Sequence, residues 1–510
     1  MKFLAAILIT GIVQCGIAAT AYAGIDTSPS STAKPSPQSQ ALADAVAMSE
    51  RGDVSRAIPA LNAIIASKDF GQLSLLEQRT VYRILAVDET LAGDHAAAFA
   101  AAKHASEMDI ADVHDWILRA GAAQRMGDTG DEVLSITTAA KRFPDYLPQI
   151  DDDYILAINR LAGSLGDGGR SQRQFLQALF DAQWRPRNPF LDTDVLLLDL
   201  VGFRQADGDV SGAQKIADRI AAPSELLAIS VDRRFAQLTQ YQTEPGAFTH
   251  IDEQYLERMK MLSQSNPQSL EGVVTVAQEL IVLHRNSEAL SLIDSALGKV
   301  KSPDDNPFSD YDERAIWAIQ VRVDALSALG RNDEALAAQI DASRHPERGH
   351  PNVSQTLNLS EMYNDLGRPH DALAVLADFD PANVSLYGKM VLMSDRACSF
   401  AQLGNREQLS ETLKFMTDHA RDAPRLQLEA LLCSNDLDGA ARAFIAQLED
   451  PATRTSALVA TQYDSSPDSL PPFKREWVGR WRALLARPDV VAEISRVGRV
   501  GLLQAPASGK

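Results

Sequence analysis

The chain has 510 residues, 45% of them hydrophobic and 23% charged, with a formal net charge of −19 at neutral pH. A single hydrophobic core rarely serves that length, so the chain demands either several domains or a repeating architecture in which each unit packs on its neighbours. The acidic charge is spread along the sequence, which makes the surface repel polyanions and excludes nucleic acid as an expected partner.

Residues 1–23 read as a secretory signal. Lys2 supplies the positive end, Phe3 to Ala19 is apolar apart from Thr10 and Gln14, and Ala21-Tyr22-Ala23 matches the small-x-small cleavage pattern before Gly24. An uncleaved membrane anchor is the rival reading, because the stretch approaches the roughly 20 apolar residues of a span. Gln14 before Cys15 argues against a lipid-modified cysteine. With no second apolar run of that length, the expectation is a chain exported across the inner membrane into a bacterial periplasm. Residues 24–40, rich in Ser, Thr and Pro, have too few apolar groups to order themselves and read as a flexible spacer.

From Ala41 onward apolar residues recur at helical spacing, as in Val81, Leu85, Val87 and Leu91, or Leu357, Leu359, Met362, Tyr363 and Leu366. Alternating strand patterns are almost absent, so the predicted fold is all-α. A helix-breaking signal punctuates these segments: Gly followed by Asp or Asn, with a small residue five places on. It occurs at Gly52-Asp53 with Ala57, Gly93-Asp94 with Ala98, Gly127-Asp128, Gly166-Asp167 and Gly208-Asp209 with Ala213. Three further turns, Gly330 with Ala335, Gly367 with Ala372, and Gly404, each lie 37 residues after the last. Degenerate copies centre on His284 with Ala289 and Asn435 with Ala440. Taking the gap between Gly208 and His284 as two intervals gives a repeat averaging about 38 residues. That gap places one hidden turn within Tyr241–Gly246.

With each turn at position 15, the unit around Gly93 supplies Tyr82, Leu85, Ala86, Ala98, Ala102 and Ala105, and the unit around Gly127 supplies Trp116 and Ala120. The unit around Gly367 supplies Leu359, Ser360, Tyr363, Ala372, Leu376 and Phe379. This pattern resembles the tetratricopeptide repeat, a helix-turn-helix unit with small residues where its two helices cross. The resemblance covers roughly residues 41–450, loosely, since spacing varies and Leu409 stands where a small residue is expected. It implies a superhelical solenoid of about ten or eleven hairpins over residues 41–465, closed by capping helices and a tail over residues 466–510. It also implies a concave groove, lined by the first helix of each pair, that takes a protein or peptide ligand. The groove positions here include Gln320, Asp324, Leu357, Glu361, Ser394 and Cys398, which lack the basic set of the subgroup that clamps a C-terminal carboxylate.

Motifs that carry chemistry are weak. Ser164 lies in Ala162-Gly-Ser-Leu-Gly166, which approximates a nucleophile elbow but follows an amphipathic helix and falls in the repeat register. Gly166-Asp-Gly-Gly-Arg170 lacks the ending of a phosphate loop. His345, Glu347 and His350 sit in a loop without metal-ligand spacing. Asp151-Asp-Asp153 opens a helix, where negative charge suits the dipole, and Asp304-Asp-Asn306 lacks the glycine and glutamate of a calcium loop. No catalytic residue, cofactor or metal is expected. Cys398 and Cys433, on the first helices of adjacent hairpins, are offset by about one helical turn and are expected to be two buried thiols.

The C-terminal segment departs from the rest: seven basic residues against three acidic ones between Lys474 and Arg499, with Trp477, Val478, Trp481, Leu484 and Leu485 forming an apolar stripe. A terminal hairpin capping the solenoid explains the stripe. The sharper reading makes Arg475, Trp477, Arg480, Trp481 and Arg482 a partner-binding patch. The functional expectation is a non-enzymatic scaffold for protein–protein interactions in the bacterial envelope. The alternative is a protein that binds or hydrolyses an envelope polymer, polysaccharide or peptidoglycan, on a helical-repeat framework.

Overall fold

A computed structural model describes residues 36–242, 244, 246–301, 305–345, 352–377, 379, 385–462 and 470–503. The expected signal peptide and most of the expected spacer lie outside these residues. Two compact units divide the chain, one ending at Phe203 and one beginning at Arg204. The described residues contain α-helices, short 3₁₀ turns and an isolated antiparallel β-bridge between Asp232 and Gly498. No described helix is long and apolar enough to cross a membrane.

The unit up to Phe203 is a succession of antiparallel pairs: α1 (Pro37–Glu50) with α2 (Val54–Ala66), α3 (Leu75–Ala92) with α4 (His95–Glu107), α5 (Val113–Met126) with α6 (Thr129–Arg142), and α7 (Asp152–Ser164) with α8 (Arg170–Asp181). Helix α9 (Asp194–Ala206) runs across the boundary. Helix α1 starts inside the stretch that composition assigns to a spacer. Ser36 caps it by accepting from the Ser39 amide, Pro37 occupies its first position, and Leu42, Ala45 and Val46 bury against the next pair.

The second unit continues with α10 (Val210–Ala217), α11 (Pro223–Val231), α12 (Ala247–Ser265), α13 (Leu270–Val282), α14 (Asn286–Leu297), α15 (Tyr311–Ala328), α16 (Asn332–Arg344), α17 (Val353–Asp365) and α18 (Pro369–Val375). It ends with α19 (Leu386–Leu403), α20 (Arg406–Asp418), α21 (Pro424–Cys433), α22 (Leu437–Glu449), α23 (Arg454–Ala460), α24 (Pro472–Leu485) and α25 (Pro488–Val497).

One piece of backbone chemistry recurs along the chain. The turn glycines from Gly52 to Gly404 all have positive φ, and the two degenerate copies, His284 and Asn435, adopt the same left-handed conformation at 57° and 58°. The amide of the following residue donates back across the helix end, Asp94 to the Glu89 carbonyl at 3.0 Å, Asp128 to Ala123 at 2.9 Å and Arg331 to Leu326 at 2.9 Å. That residue then caps the next helix. Asp94, Asp128, Asp209 and Asp436 each accept an amide three residues on. Where arginine replaces the acid, the side chain instead pairs with a carboxylate three residues on: Arg285 with Glu288, Arg331 with Glu334, Arg368 with Asp371.

The small residue five places after the turn marks the helix crossing. Ala57, Ala98, Ala213, Ala289, Ala335, Ala372 and Ala440 are all fully buried, whereas Leu409 sits half-buried against the cluster around Met390 and Met416. The first unit also holds a buried ion cluster. Arg83 donates to Asp115 at 2.8 Å and to Asp112 at 2.6 Å, and Asp112 in turn caps α5.

Of the turn expected within Tyr241–Gly246, residues 243 and 245 lie outside the described residues, and Gly246 has the positive φ of the other turn glycines directly before α12. It does not follow α11 at once: residues 232–242 make an irregular connection with a 3₁₀ turn at Arg233–Phe235. That connection is ordered by residues far along the chain. Buried Asp232 accepts from Arg234 at 2.9 Å and from the Thr455 hydroxyl at 2.8 Å. The Arg499 amide donates to the Val231 carbonyl at 3.0 Å, and the Arg499 guanidinium stacks over Tyr241 at 4.2 Å. Leu227 and Val231 share an apolar cluster with Val490, Ile494 and Val497. The end of the second unit therefore closes on its own beginning, which no pattern local in sequence reveals.

Since no space remains at the crossing, replacing Ala335 or Ala372 with Leu is expected to cost about 1–3 kcal/mol through overpacking. Denaturation midpoints of the two variants check this, and unchanged midpoints would refute the crossing register.

Candidate partner-binding surface

The first helices α15, α17, α19 and α21 contribute an acidic strip. Gln320 donates to Asp324 at 3.0 Å and accepts from Asn358 at 2.9 Å, linking α15 to α17. One and two turns further along α17 stand Glu361 and Asp365, near Asp395 of α19 and Glu429 of α21. Asp324 and Glu361 lie one 37-residue repeat apart, and this recurrence is the sequence signal for the strip.

Helix α24 lies against this strip. The Lys474 ammonium is 3.2 Å from Asp365 and 3.8 Å from Glu361, and it stacks over Trp477. Burial disfavours the Lys474 charge, but Asp365, Glu361 and Glu429 outweigh it and hold its pKa above the usual lysine range. Burial pushes Asp365 up to about 6 against the pull of Lys474. Burial also raises Asp324 to about 6, against its bond from Gln320, and raises Glu429 even though Arg425 donates to it at 2.8 Å. Asp395 is the extreme member: it is buried, with one carboxylate oxygen lacking a hydrogen-bond partner, and burial with the nearby Glu361 charge pushes its pKa well up. The surface is thus a concentration of negative charge that accepts a cation with an aromatic neighbour.

The five residues of the expected C-terminal patch are not equivalent in the structure. Trp477 donates to the Glu429 carbonyl, and Arg480 caps the end of α21 by donating to the Leu432 and Cys433 carbonyls at 3.0 and 2.7 Å. Trp481 stacks on Trp477 and meets Phe444 edge-on at 5.3 Å. These three are engaged inside the unit. Arg475, exposed, reaches the Leu470 carbonyl at 3.1 Å, and Arg482 is also exposed. The apolar stripe acts as a cover, since Leu484, Trp477, Trp481 and Leu485 join the cluster around Phe444 and Leu458.

The expectation of two free thiols is overturned: Cys398 and Cys433 form a disulfide with their Cα atoms 4.9 Å apart. Aligning the hairpins by their turns is what misplaced them. The turns at Gly404 and Asn435 are 31 residues apart, but the contacts between α19 and α21 join residues 32 apart, Ser394 to Leu426, and 35 apart at the cystine. Helix α21 is therefore displaced along its axis, which removes the assumed offset. The fully buried Ala397 and Ala430 on the same two helices add little bulk between them.

The weak motifs take structural places. The Ser164 hydroxyl donates to the Leu161 carbonyl at the end of α7, and Asp167 caps α8 through the Arg170 and Ser171 amides. Asp151 caps α7 through the amides of Asp153 and Tyr154. The side chain of Asn306 accepts the Phe308 amide, and Asp304 lies outside the described residues. His345 approaches Asp341 at 3.6 Å, while Glu347 and His350 lie outside the described residues. Among the described residues no group of His, Cys, Asp and Glu is placed to hold a metal.

The helical hairpins, their left-handed turns and their buried crossing alanines define a tetratricopeptide-like helical-repeat protein. No protein-family model matches the sequence, and no curated protein matches it. Among solved structures, the chain aligns with yeast Tom70 at 12% identity and a TM-score of 0.33, over 90% of this chain and 99% of that one. It aligns with a Rap protein complexed with competence and sporulation factor at 12% identity and a TM-score of 0.26, over 88% and 98% of the two chains. The Naa15/Naa10 structure bound to HypK-THB aligns at 13% identity and a TM-score of 0.23, over 83% of this chain and 65% of that one. Likenesses at this level transfer no site or ligand.

The carboxylates set a pH dependence with a definite sign. Asp365 and Asp252, the latter raised to about 6 by burial alone, bind protons more tightly folded than unfolded. Their contribution to stability is full below the unfolded pKa near 4 and is lost as pH rises through about 6. Asp112 runs the other way. Burial opposes its charge, but bonds from His114 and Arg83 and the Arg83 and Arg79 charges hold its pKa far below the usual range, so its contribution disappears in acid. The melting temperature is expected to rise as pH falls from about 8 to about 5 and to drop below about 4. Asp252→Asn should stabilise the protein at pH 7.5 by about 1–3 kcal/mol and flatten the upper slope; thermal melts across pH check both.

Proposed function

We propose that the protein is a non-catalytic interaction scaffold, exported to a bacterial periplasm, that receives a basic, aromatic-bearing protein segment on the acidic strip of α15, α17, α19 and α21. The observation that supports this reading is α24 itself. It is an internal specimen of such a segment, with Lys474 between Asp365 and Glu361 and Trp477 against the α21 backbone. Glu361 keeps 57% of its side chain exposed and is available to a second cation. The envelope-polymer alternative draws support from the convergence of Asp365, Asp395 and Glu429, because burial favours the protonated form that a general acid needs. The engagement of Asp365 by Lys474 and of Glu429 by Arg425 favours the scaffold.

Helical peptides carrying Lys and Trp one turn apart, measured by fluorescence anisotropy against the mature chain, test the reading. They should bind better than Glu-for-Lys versions, and Glu361→Gln with Asp324→Asn should weaken them at least tenfold. Equal binding of both peptide sets would overturn it, and release of sugars or muropeptides from envelope polymer would move the conclusion to the alternative.

Export is supported by residues 1–23 and by the Cys398–Cys433 disulfide, a bond that persists in oxidising compartments. The chain recovered from its native envelope is expected to start at Gly24 and to yield a linked Cys398–Cys433 peptide without reduction. A start at Met1 with two free thiols would refute it.

A further inference from the structure

A cavity of about 470 Å³ opens between α18, α19 and α20. Helix α18 has seven residues where the second helices α16 and α20 have thirteen each. Leu376, Met393, Phe400 and Phe415 supply the apolar half of a lining whose other half is polar.

In that lining stands Arg396, in register with Met393 and Phe400 at i, i+3 and i+7, so all three side chains project from one face of α19. Buried Arg119 and half-buried Arg454 show how such a charge is matched. Arg119 grips Asp131 through two nitrogens, and Arg454, whose charge burial also disfavours, donates to the Leu448 and Glu449 carbonyls. Arg396 makes no hydrogen bond or ion pair with any described residue, and burial alone lowers its pKa. A desolvated guanidinium without a counter-ion is costly, and an anion brought into the cavity would relieve that cost. The carboxylate of Glu411 also lines the space but is exposed and does not pair with Arg396.

We propose that this cavity binds a single-tailed anionic amphiphile, with the tail against Leu376, Met393, Phe400 and Phe415 and the anionic head on the Arg396 guanidinium. The volume lies within the range of pockets that enclose small ligands. The head is a carboxylate or a phosphate, a fatty acid or a single-chain lipid, because a guanidinium recognises both in the same bidentate manner. The site is separate from the acidic strip, which repels such a ligand.

The test is isothermal titration of the mature chain with octanoate, octyl phosphate, octan-1-ol and octyltrimethylammonium. Octanoate or octyl phosphate is expected to bind at least tenfold tighter than the neutral and cationic chains, and the tighter of the two identifies the head. Arg396→Met, which keeps the apolar stem, should abolish that preference without lowering the melting temperature. Glu411→Gln should tighten the anions several-fold by removing a like charge from the lining. If octan-1-ol binds wild type as tightly as both anions, or if Arg396→Met binds them unchanged, the proposal is overturned. The wild-type comparison stands even if the variant fails to fold.

Discussion

The structure depends on ending each helix within a single residue and starting the next at once. A left-handed residue at the turn lets the following amide satisfy a carbonyl of the finished helix, and an Asp or Asn in that position then satisfies an amide of the new one. Two sets of orphaned backbone groups are closed by two consecutive residues, so the helices can lie antiparallel without a loop. The alanine five places on follows from the same geometry, because it is where the returning helix first meets its partner. Substituting Arg for the capping acid, as at Arg285, Arg331 and Arg368, shows what the motif requires: the left-handed turn and the small residue persist, while the cap is replaced by an ion pair along the helix.

The second constraint is closure of the unit that begins at Arg204. Stacked hairpins leave apolar faces at both ends, and terminal repeats normally need polar caps. Here α25 and the residues after it cover α11, and Asp232 is buried under Arg234 and Thr455 from opposite ends of the unit. The same arrangement brings α24 across the first helices, so a basic helix meets carboxylates whose charge burial disfavours. Lys474 is stabilising there because it neutralises groups that would otherwise take up protons. The cystine between α19 and α21 restrains the two helices whose side chains and carbonyls hold α24, since Arg480 bonds the Cys433 carbonyl.

Helix type, hairpin register and turn positions were legible in the sequence because each is set by residues within about one turn of each other. Even the degenerate turns at His284 and Asn435 could be placed by spacing alone. Legibility ended where spacing varied: the connection over residues 232–242 is ordered by Arg499, and the start of α1 at Pro37 is decided by burial of Leu42, Ala45 and Val46 against a later pair. The cystine was misjudged because the axial slide of one helix against another is a packing variable. The acidic strip was half visible, through Asp324 and Glu361 one repeat apart, but its cation comes from a helix more than a hundred residues on.

The sequence by itself determined that this protein is a run of tetratricopeptide-like helical hairpins, since backbone hydrogen bonding and steric crowding at a turn are local. Only the tertiary structure decided that Cys398 meets Cys433, that Trp477 and Arg480 face inward, that Lys474 sits among carboxylates and that Arg396 lines a cavity with no partner among the described residues. Those outcomes depend on the slide and crossing of helices distant in sequence, quantities that burial and charge settle together.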